Sequence, residues 1–264
     1  MVALLIALGI GSGLADREIG IFERASARDI AARLTGNEKE VEVQVEPAAQ
    51  WGRMFRAEIT GSRFSLEGLP LFAEPNASRA GRLDRLTLSL RDFRLRGLRI
   101  EELGAEIPNS RFDLGLALKE KKIRVTQSGE GTGWVKILEN DLAEYIVAKF
   151  AEIKSATVKI DRDVIWVEGY GEFLVVKSDF AVIAKVASPD GRRLMLENAK
   201  IYFNWQRADP FASQALLRIL NPVVDLDKDL GLAGAIDVKS IRLRGGHILA
   251  SGSARIPPKP AENP

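Results

Sequence analysis

A hairpin pattern that occurs twice constrains the fold of this chain more than any other feature. Residues 158–169 and 241–252 each contain an alternating strand, a tight turn, a second apolar strand and a glycine at the same offset. The turns fall at Asp161–Asp163 and at Arg244–Gly246. A β-rich unit used twice offers mainly apolar strand faces, whereas a catalytic site needs unlike residues at one point. The repeat therefore favours a scaffold or a container over an enzyme.

Alternating apolar residues predict further strands. Val41, Val43 and Val45 alternate with polar residues and stop at Pro47. The same period of two predicts long antiparallel strands in the segments 86–90, 112–118, 123–125, 180–182, 194–196 and 201–205.

Helical spacing of apolar residues interrupts this pattern three times. It predicts a helix over 16–34, a second helix capped by Asn140, and a third that starts at Asp209–Pro210 and ends before Pro222. The order of elements predicts an α+β fold, in which a long, strongly curved antiparallel sheet wraps around a helix and contains the hairpin repeat.

The two ends of the chain differ from its middle. Residues 1–15 are apolar or small and directly precede a charged segment, as in a signal peptide, although no basic residue precedes the apolar run. As a helix they reach only about 21 Å, less than the ~30 Å hydrocarbon core, so a retained anchor is disfavoured; a buried apolar element is the other alternative. We expect export to the periplasm or cell envelope, one domain over 16–256, and a disordered proline-rich tail at 257–264.

Composition excludes several classes of site. The chain has no Cys and one His, so thiolate chemistry and sites with several histidines are excluded. Lys plus Arg number 38 and Asp plus Glu 36, a formal net charge of +2, which gives no overall attraction to nucleic acid. We expect no nucleic-acid partner.

Three motifs suggest chemistry but lack the spacing that it requires. His247 lies beside Gly245–Gly246 and no nucleophile elbow accompanies it, so it is interpreted as a turn residue. The acidic triplet at 225, 227 and 229 lacks the glycine and glutamate of a calcium loop and is interpreted as a solvated loop. The glycines at 129, 131 and 133 match no phosphate-binding fingerprint and are interpreted as a flexible turn. We therefore predict no catalytic residue, no metal and no cofactor.

Arginines are concentrated between residues 79 and 99. One interpretation is a solvated sheet face whose basic edge discourages aggregation. The other is a site for an anionic headgroup or a membrane surface, because guanidinium groups bind phosphates in pairs of hydrogen bonds. Candidates for that contact are Arg91, Arg94 and Arg96.

Several segments resemble LmeA-like phospholipid-binding proteins. They are 138–146, 156–160, 164–169, 221–226, 236–241 and 247–257, together with the N-terminal helix and the strand at 41–45. The resemblance implies a fold similar to the tubular lipid-binding superfamily, with an apolar channel for acyl chains, and an exported protein of the bacterial envelope. It implies no particular headgroup-binding residue.

The predicted function is thus non-catalytic binding, and possible transfer, of phospholipid or a related lipid, with possible peripheral membrane contact. The candidates for the channel are Leu86, Leu88, Leu90, Phe112, Leu114, Leu116, Leu142, Ile146, Phe150, Phe180 and Val182. Ordinary core packing explains the same residues. The alternative is an envelope protein with a structural or interaction role and a filled core, and an enzyme that uses His247 or Asp227 is the least favoured reading.

Overall fold

A computed structural model describes residues 12–70, 72–74, 77–173 and 176–259. The helices are α1 Ser12–Ala31, α2 Leu114–Glu120, α3 Glu139–Lys149 and α4 Pro210–Leu220. The strands are β1 Glu40–Pro47, β2 Arg53–Ser62, β3 Ser65–Leu66, β4 Gly81–Leu95, β5 Leu98–Phe112, β6 Val125–Gln127, β7 Gly131–Leu138, β8 Ile153–Asp161, β9 Val164–Phe173, β10 Val176–Ala187, β11 Arg193–Phe203, β12 Gln206–Arg207, β13 Val224–Asp225, β14 Ile236–Arg244 and β15 His247–Ala254. The fold is α+β with a strongly curled antiparallel sheet, which confirms the predicted class.

The chain divides into two compact units. Unit 1 takes the described residues from 12 to 93, 103–133 and 253–259, and unit 2 takes 94–102 and 134–252. Strands β4, β5, β7 and β15 therefore contribute residues to both units.

Helix α1 begins within the segment that the sequence assigns to a leader. Residues 1–11 lie outside the described residues, and the expected boundary at Asp16 falls inside α1. Cleavage of a leader stays a prediction. Among the described residues, no helix combines the length and the apolar character that crossing a membrane requires.

The sheet of unit 1 contains β1, β2, β4, β5, β7 and β15 in that order, with β3 beside β4 and β6 beside β5. Helix α1 packs against β1. The prediction of antiparallel strands is wrong for one pair, because β2 and β4 are parallel, with Ile59 opposite Leu88. The connection through residues 63–80 brings the chain back to the end at which β2 began, and such a crossover is what a parallel pair requires.

The predicted strand over 112–118 is also wrong, because β5 ends at Phe112 and the helix α2 follows. Asp113 causes this change: its carboxylate accepts the Leu116 N–H at 3.0 Å and caps the helix. Leu114, Ala117 and Leu118 then share one helix face, at spacings of three and four residues.

In unit 2, the six-stranded sheet has the order β12-β11-β10-β9-β8, with β13 beside β11, and every pair in it is antiparallel. A buried row crosses four of its strands, and it consists of Val158, Val167, Val182 and Ile201. Helix α3 packs against β8. The remaining strands of this unit are parts of β4, β5, β7 and β15, and all of β14.

Both copies of the repeated hairpin form, as β8–β9 and β14–β15. The repeated glycine has the same role in each copy. A Cβ added at Gly169 would lie 1.9 Å from the Ser155 carbonyl oxygen, and one added at Gly252 would lie 1.9 Å from that of Asp237. Glycine is therefore required there because the neighbouring strand passes too close for any side chain.

The predicted helix starts differ in accuracy. Asp209 caps α4 as predicted, since its carboxylate accepts the Phe211 and Ala212 N–H groups at 2.8 and 3.0 Å. The prediction that Asn140 caps α3 is wrong, because α3 already begins at Glu139 and Leu138 occupies the capping position. Leu138 makes no side-chain capping hydrogen bond, so the start of α3 has no capping residue that the sequence could reveal.

The start of the predicted tail is paired within unit 1. The Ala73 N–H donates to the Pro257 carbonyl at 2.8 Å, and the Lys259 N–H donates to the Ala73 carbonyl at 3.0 Å. Residues 260–264 lie outside the described residues.

Candidate functional site

Unit 1 contains an apolar cleft between α1, α2 and the strands β1 and β2. Its volume is about 80 Å³. The residues that line it are Ile19, Phe22, Val45, Pro47, Trp51, Gly52, Arg53, Met54, Phe112, Leu114, Ala117, Leu118 and Lys121. Only Arg53 and Lys121 among these carry a charge.

The spacing of apolar residues on α1 and α2 explains why their side chains line the cleft. Ile19 and Phe22 are three residues apart on α1, so both side chains point to the same side. On α2 the same rule aligns Leu114 with Ala117 and Leu118. Two short helix faces therefore meet over the end of the sheet.

A turn between β1 and β2 forms one rim of the cleft. Trp51 in this turn is 53% exposed, although it is one of the largest apolar side chains in the protein. Gly52 follows with a φ of +72°, and a Cβ added there would lie 3.1 Å from the Leu114 side chain. Glycine thus allows both the left-handed turn and its close approach to α2.

The two cations of the cleft differ in their partners. The Arg53 guanidinium donates to the Asp84 carboxylate at 2.5 and 2.8 Å. This pair lowers the pKa of Asp84, and it raises the pKa of Arg53. The charge of Arg53 is therefore largely compensated within the protein.

Lys121 ends α2 in the left-handed conformation, with a φ of 58°. Its carbonyl accepts the Ser26 hydroxyl at 2.9 Å, which ties the end of α2 to α1. Within the part of the chain that the structure describes, no carboxylate pairs with the Lys121 ammonium group. Among the described residues, Lys121 is therefore the cation of the cleft whose charge no carboxylate compensates.

The structure places six of the predicted channel residues in unit 1. Phe112 and Leu114 line the cleft. Leu86 and Leu88 belong to the same hydrophobic cluster as these two residues. Leu90 on β4 and Leu116 on α2 are half-buried and do not line the cleft.

The other five predicted channel residues lie in the core of unit 2. They are Leu142, Ile146, Phe150, Phe180 and Val182, and none is more than 8% exposed. The Phe180 ring packs edge-to-face against Phe173, with their centroids 6.0 Å apart. These residues make close contacts with their neighbours, as in ordinary core packing.

The three arginines predicted to meet a headgroup are all exposed. Arg91 belongs to unit 1, and Arg94 and Arg96 belong to unit 2. Arg94 lies 3.7 Å from the Glu144 carboxylate, and Arg96 donates to the Lys228 carbonyl at 3.0 Å. The structure does not gather the three around one cavity of either unit, and their contact with a headgroup stays a prediction.

The acidic triplet forms a closed hydrogen-bonded loop rather than a solvated one. The Asp225 carboxylate accepts the N–H groups of Asp227 and Lys228 at 3.1 and 2.9 Å. The Asp229 carboxylate accepts the Asp225 N–H at 2.7 Å and pairs with the Lys149 ammonium at 2.5 Å. Among the described residues, no group of His, Asp or Glu has the arrangement of a metal site.

Two glycines of the triplet, Gly131 and Gly133, lie in β7, so the interpretation as a flexible turn is wrong for these two, and Gly129 lies in the connection just before that strand. A Cβ added at Gly129 would lie 1.7 Å from the Pro108 carbonyl oxygen, and one at Gly131 would lie 1.9 Å from that of Glu106. The close approach of β5 explains these glycines. His247 is the first residue of β15, directly after the Gly245–Gly246 turn rather than in it, and its Nδ1 lies 3.4 Å from the Gly245 carbonyl.

Sequence reasoning missed most of the cleft. It included Phe112 and Leu114 but not Trp51 or Lys121. The acid at Asp113, followed by apolar residues at helical spacing, was the signal that could have revealed α2 and with it this wall.

Comparison of the chain with family models, curated proteins and solved structures found no match. The resemblance to LmeA-like phospholipid-binding proteins therefore stays a prediction from the sequence.

Proposed function

We propose that this protein binds phospholipid or another acyl lipid without catalysis, and that the cleft of unit 1 holds part of one acyl chain. The observation that supports this most is the apolar lining, which α1, α2, β1 and β2 all supply. Transfer of a methylene group from water to such a surface is worth about 0.8 kcal/mol. Burial of a few methylene groups therefore stabilises the end of a chain in the cleft.

The size of the cleft limits how much lipid it holds. Its volume of about 80 Å³ is below the roughly 300–1,000 Å³ of pockets that enclose a small ligand. We therefore assign it the end of a single acyl chain, while the rest of the lipid remains outside the cleft. Lipid contact is then partial and reversible, which suits binding or transfer better than storage.

Lys121 is the residue that we assign to the headgroup. Its ammonium group brings the uncompensated charge described above, and a lipid phosphate complements that charge. Arg53 has a supporting role, because Asp84 already holds its guanidinium group. Trp51 at the rim suits the boundary between apolar chain and polar headgroup, since its ring is apolar and its indole N–H is polar.

The proposal places the protein in the bacterial periplasm or cell envelope, in keeping with the apolar residues 1–15. A second candidate is a structural or interaction protein of the envelope. The tightly packed core residues of unit 2 favour it, because a protein without a ligand needs no open space.

Replacement of Leu114 by Trp tests the cleft, because the larger ring fills the space beside Phe112. The matched control is Leu116→Trp, a change of the same size on the same helix at a residue that does not line the cleft. The full chain is expressed in a bacterial periplasm and purified without detergent. Native mass spectrometry, followed by organic extraction, then measures the lipid bound to each variant.

More lipid on the wild type and on Leu116→Trp than on Leu114→Trp, after all three proteins are exposed to liposomes, is the expected result. Circular dichroism checks that both variants retain the fold. Wild-type protein that carries no lipid, and takes none from liposomes, contradicts the proposal and favours the structural role. Equal lipid on all three proteins removes this cleft from the site.

A further inference from the structure

The two most exposed large apolar side chains among the described residues lie close together in the sequence of unit 2. Trp205 is 70% exposed and Phe211 is 83% exposed. Trp205 lies in the turn between β11 and β12, and Phe211 lies in the first turn of α4. Six residues of chain span at most about 20 Å, so both side chains belong to one small region of the surface.

Backbone pairing fixes both residues at the same end of the six-stranded sheet. Gln206 lies opposite Phe203, and the Ala208 N–H donates to the Ile201 carbonyl at 2.9 Å. Helix α4 then runs away from this end, since the side chain of Asn221 at its other end bonds to the Leu196 backbone. The turn at Trp205 and the start of α4 thus form a tip.

The backbone at Trp205 is in a conformation that tryptophan rarely adopts. Its φ is 65°, which favours glycine or asparagine, and a bulky residue there is strained. This side chain nevertheless extends into solvent and lacks the burial that core packing would provide. The preceding Asn204 also has a positive φ of 47°, so the two residues form the tight turn between β11 and β12.

The outward face of α4 carries one large apolar side chain, at the start of the helix beside the tip. Phe211, Gln214, Ala215 and Arg218 are exposed at helical spacing, whereas Leu216 and Leu220 are buried. This face contains no acidic residue, and its single cation lies near the C-terminal end of the helix. At a lipid surface the Phe211 ring can be buried while the long Arg218 side chain keeps its charge in the headgroup region.

The charges near the tip decide which lipid surface fits it. Arg207 is exposed, but so are Asp209 and Asp179, and Asp179 accepts the Asn204 N–H through its carbonyl. Among the described residues, charges of both signs therefore lie near the aromatic pair, and they give no net attraction to anionic lipid. The complementary surface is the interface of a bilayer without net charge, where Trp and Phe are both stable.

We propose that this tip docks the protein onto a zwitterionic lipid bilayer, with Trp205 and Phe211 inserted at the level of the headgroups. The inference deepens the lipid-binding function proposed above and rests on it. It assigns membrane contact to aromatic side chains of unit 2, rather than to the arginines that the sequence suggested.

The test is flotation of the full chain with phosphatidylcholine vesicles. The variant W205N/F211Q removes both aromatic rings, and asparagine suits the left-handed conformation at 205. The control W166T removes another exposed tryptophan of unit 2, which lies within β9 and is 37% exposed. Loss of two aromatic anchors is expected to reduce the bound fraction by about tenfold or more, whereas W166T binds as the wild type does.

Further measurements separate the possible outcomes. Brominated phosphatidylcholine should quench the fluorescence of the wild type and of W166T more strongly than that of W205N/F211Q. Wild-type protein that fails to float, or a double variant that floats equally well, overturns the proposal. Binding that requires anionic lipid and disappears in high salt also overturns it, in favour of an electrostatic surface.

Sedimentation without vesicles tests whether the tip instead binds a second copy of the chain. A wild-type dimer that the double variant converts to a monomer overturns membrane docking. Co-purified lipid is measured on the same samples. Unchanged lipid on a variant that no longer floats supports docking, and lipid-free wild type contradicts the lipid-binding function separately from the flotation result.

Discussion

Units 1 and 2 share the same alternation of apolar residues in their strands, but the core of unit 2 is tightly packed and unit 1 contains a cleft. In unit 2, Phe180 and Val182 lie on a strand with paired neighbours on both sides, and their faces are closed by packing. In unit 1, the strand that ends at Phe112 gives way to α2, and a cleft remains beside Leu114. A strand that continues allows tight packing, whereas a strand that stops leaves space that a ligand can use.

The largest test of this comparison removes one large side chain from each unit. Phe180→Ala should lower the free energy of unfolding by about 3–5 kcal/mol, because a cavity opens in a packed core. Leu114→Ala should cost about 1 kcal/mol, because its side chain is half-buried and already borders open space. Urea unfolding monitored by circular dichroism measures both. Equal losses would mean that Leu114 is packed as tightly as Phe180, and the comparison would fail.

A second test asks whether the close spacing of neighbouring strands contributes to the tight packing of unit 2. Gly169→Ala should destabilise the protein by about 2 kcal/mol or more, because the new methyl group would overlap the Ser155 carbonyl. Gly20→Ala on α1 is the control, where helix propensity predicts a gain of about 0.5–1 kcal/mol. Thermal unfolding compares them. A neutral Gly169→Ala would show that the two strands separate at little cost.

The stability of the two units should also depend on pH in opposite ways, although the effect is smaller. Each unit contains a carboxylate with a shifted pKa, and the two shifts have opposite directions. In unit 1, the Arg124 guanidinium holds the pKa of Asp29 below its usual value, with contacts of 2.6 and 3.0 Å. In unit 2, burial raises the pKa of Asp141, although Arg99 contacts it at 3.0 Å.

The signs of the two effects follow from linkage. The contribution of Asp29 is complete above its unfolded pKa and is lost as the pH falls through its lowered folded pKa. Asp29→Asn should therefore cost about 1 kcal/mol at neutral pH, since the pair is partly solvated, and this cost should shrink in acid. For Asp141 the folded state loses stability as the pH rises through the raised pKa.

The cost of Asp141→Asn should accordingly fall, rather than grow, as the pH rises. Urea unfolding of both variants between about pH 3 and pH 7 measures the two slopes. Slopes of the same sign would show that the two carboxylates occupy equivalent environments.

Short sequence patterns correctly predicted the elements that depend only on neighbouring residues. The hairpins, the strand at Glu40–Pro47 and the start of α4 at Pro210 depend on period, turn residues and one capping acid, and all of these are short-range. The prediction failed at 112–118, where alternation and helical spacing coexist and the Asp113 cap decides the outcome. It failed at Gly131 because the reason for that glycine is the Glu106 carbonyl of β5, which comes much earlier in the sequence.

The candidate site was less predictable than the fold. Phe112 and Leu114 were predicted because their size and spacing are visible in the sequence. Trp51 and Lys121 depend on long-range packing, since the turn at Gly52 meets α2 and the Lys121 carbonyl meets Ser26 on α1. These contacts join residues far apart in the sequence, so the spacing of apolar residues along the chain does not predict them.

The pairing of Ala73 with Pro257 and Lys259 has a consequence for biosynthesis. On the ribosome, every residue of unit 2 is translated before the segment at 253–259 that completes unit 1. The Ile256 N–H donates to the Ser128 hydroxyl at 3.0 Å, so this late segment joins two earlier parts of the same unit. A nascent chain halted after Gly252 would therefore contain every residue of unit 2, whereas unit 1, whose synthesis starts first, would still lack the segment that pairs with Ala73 and Ser128.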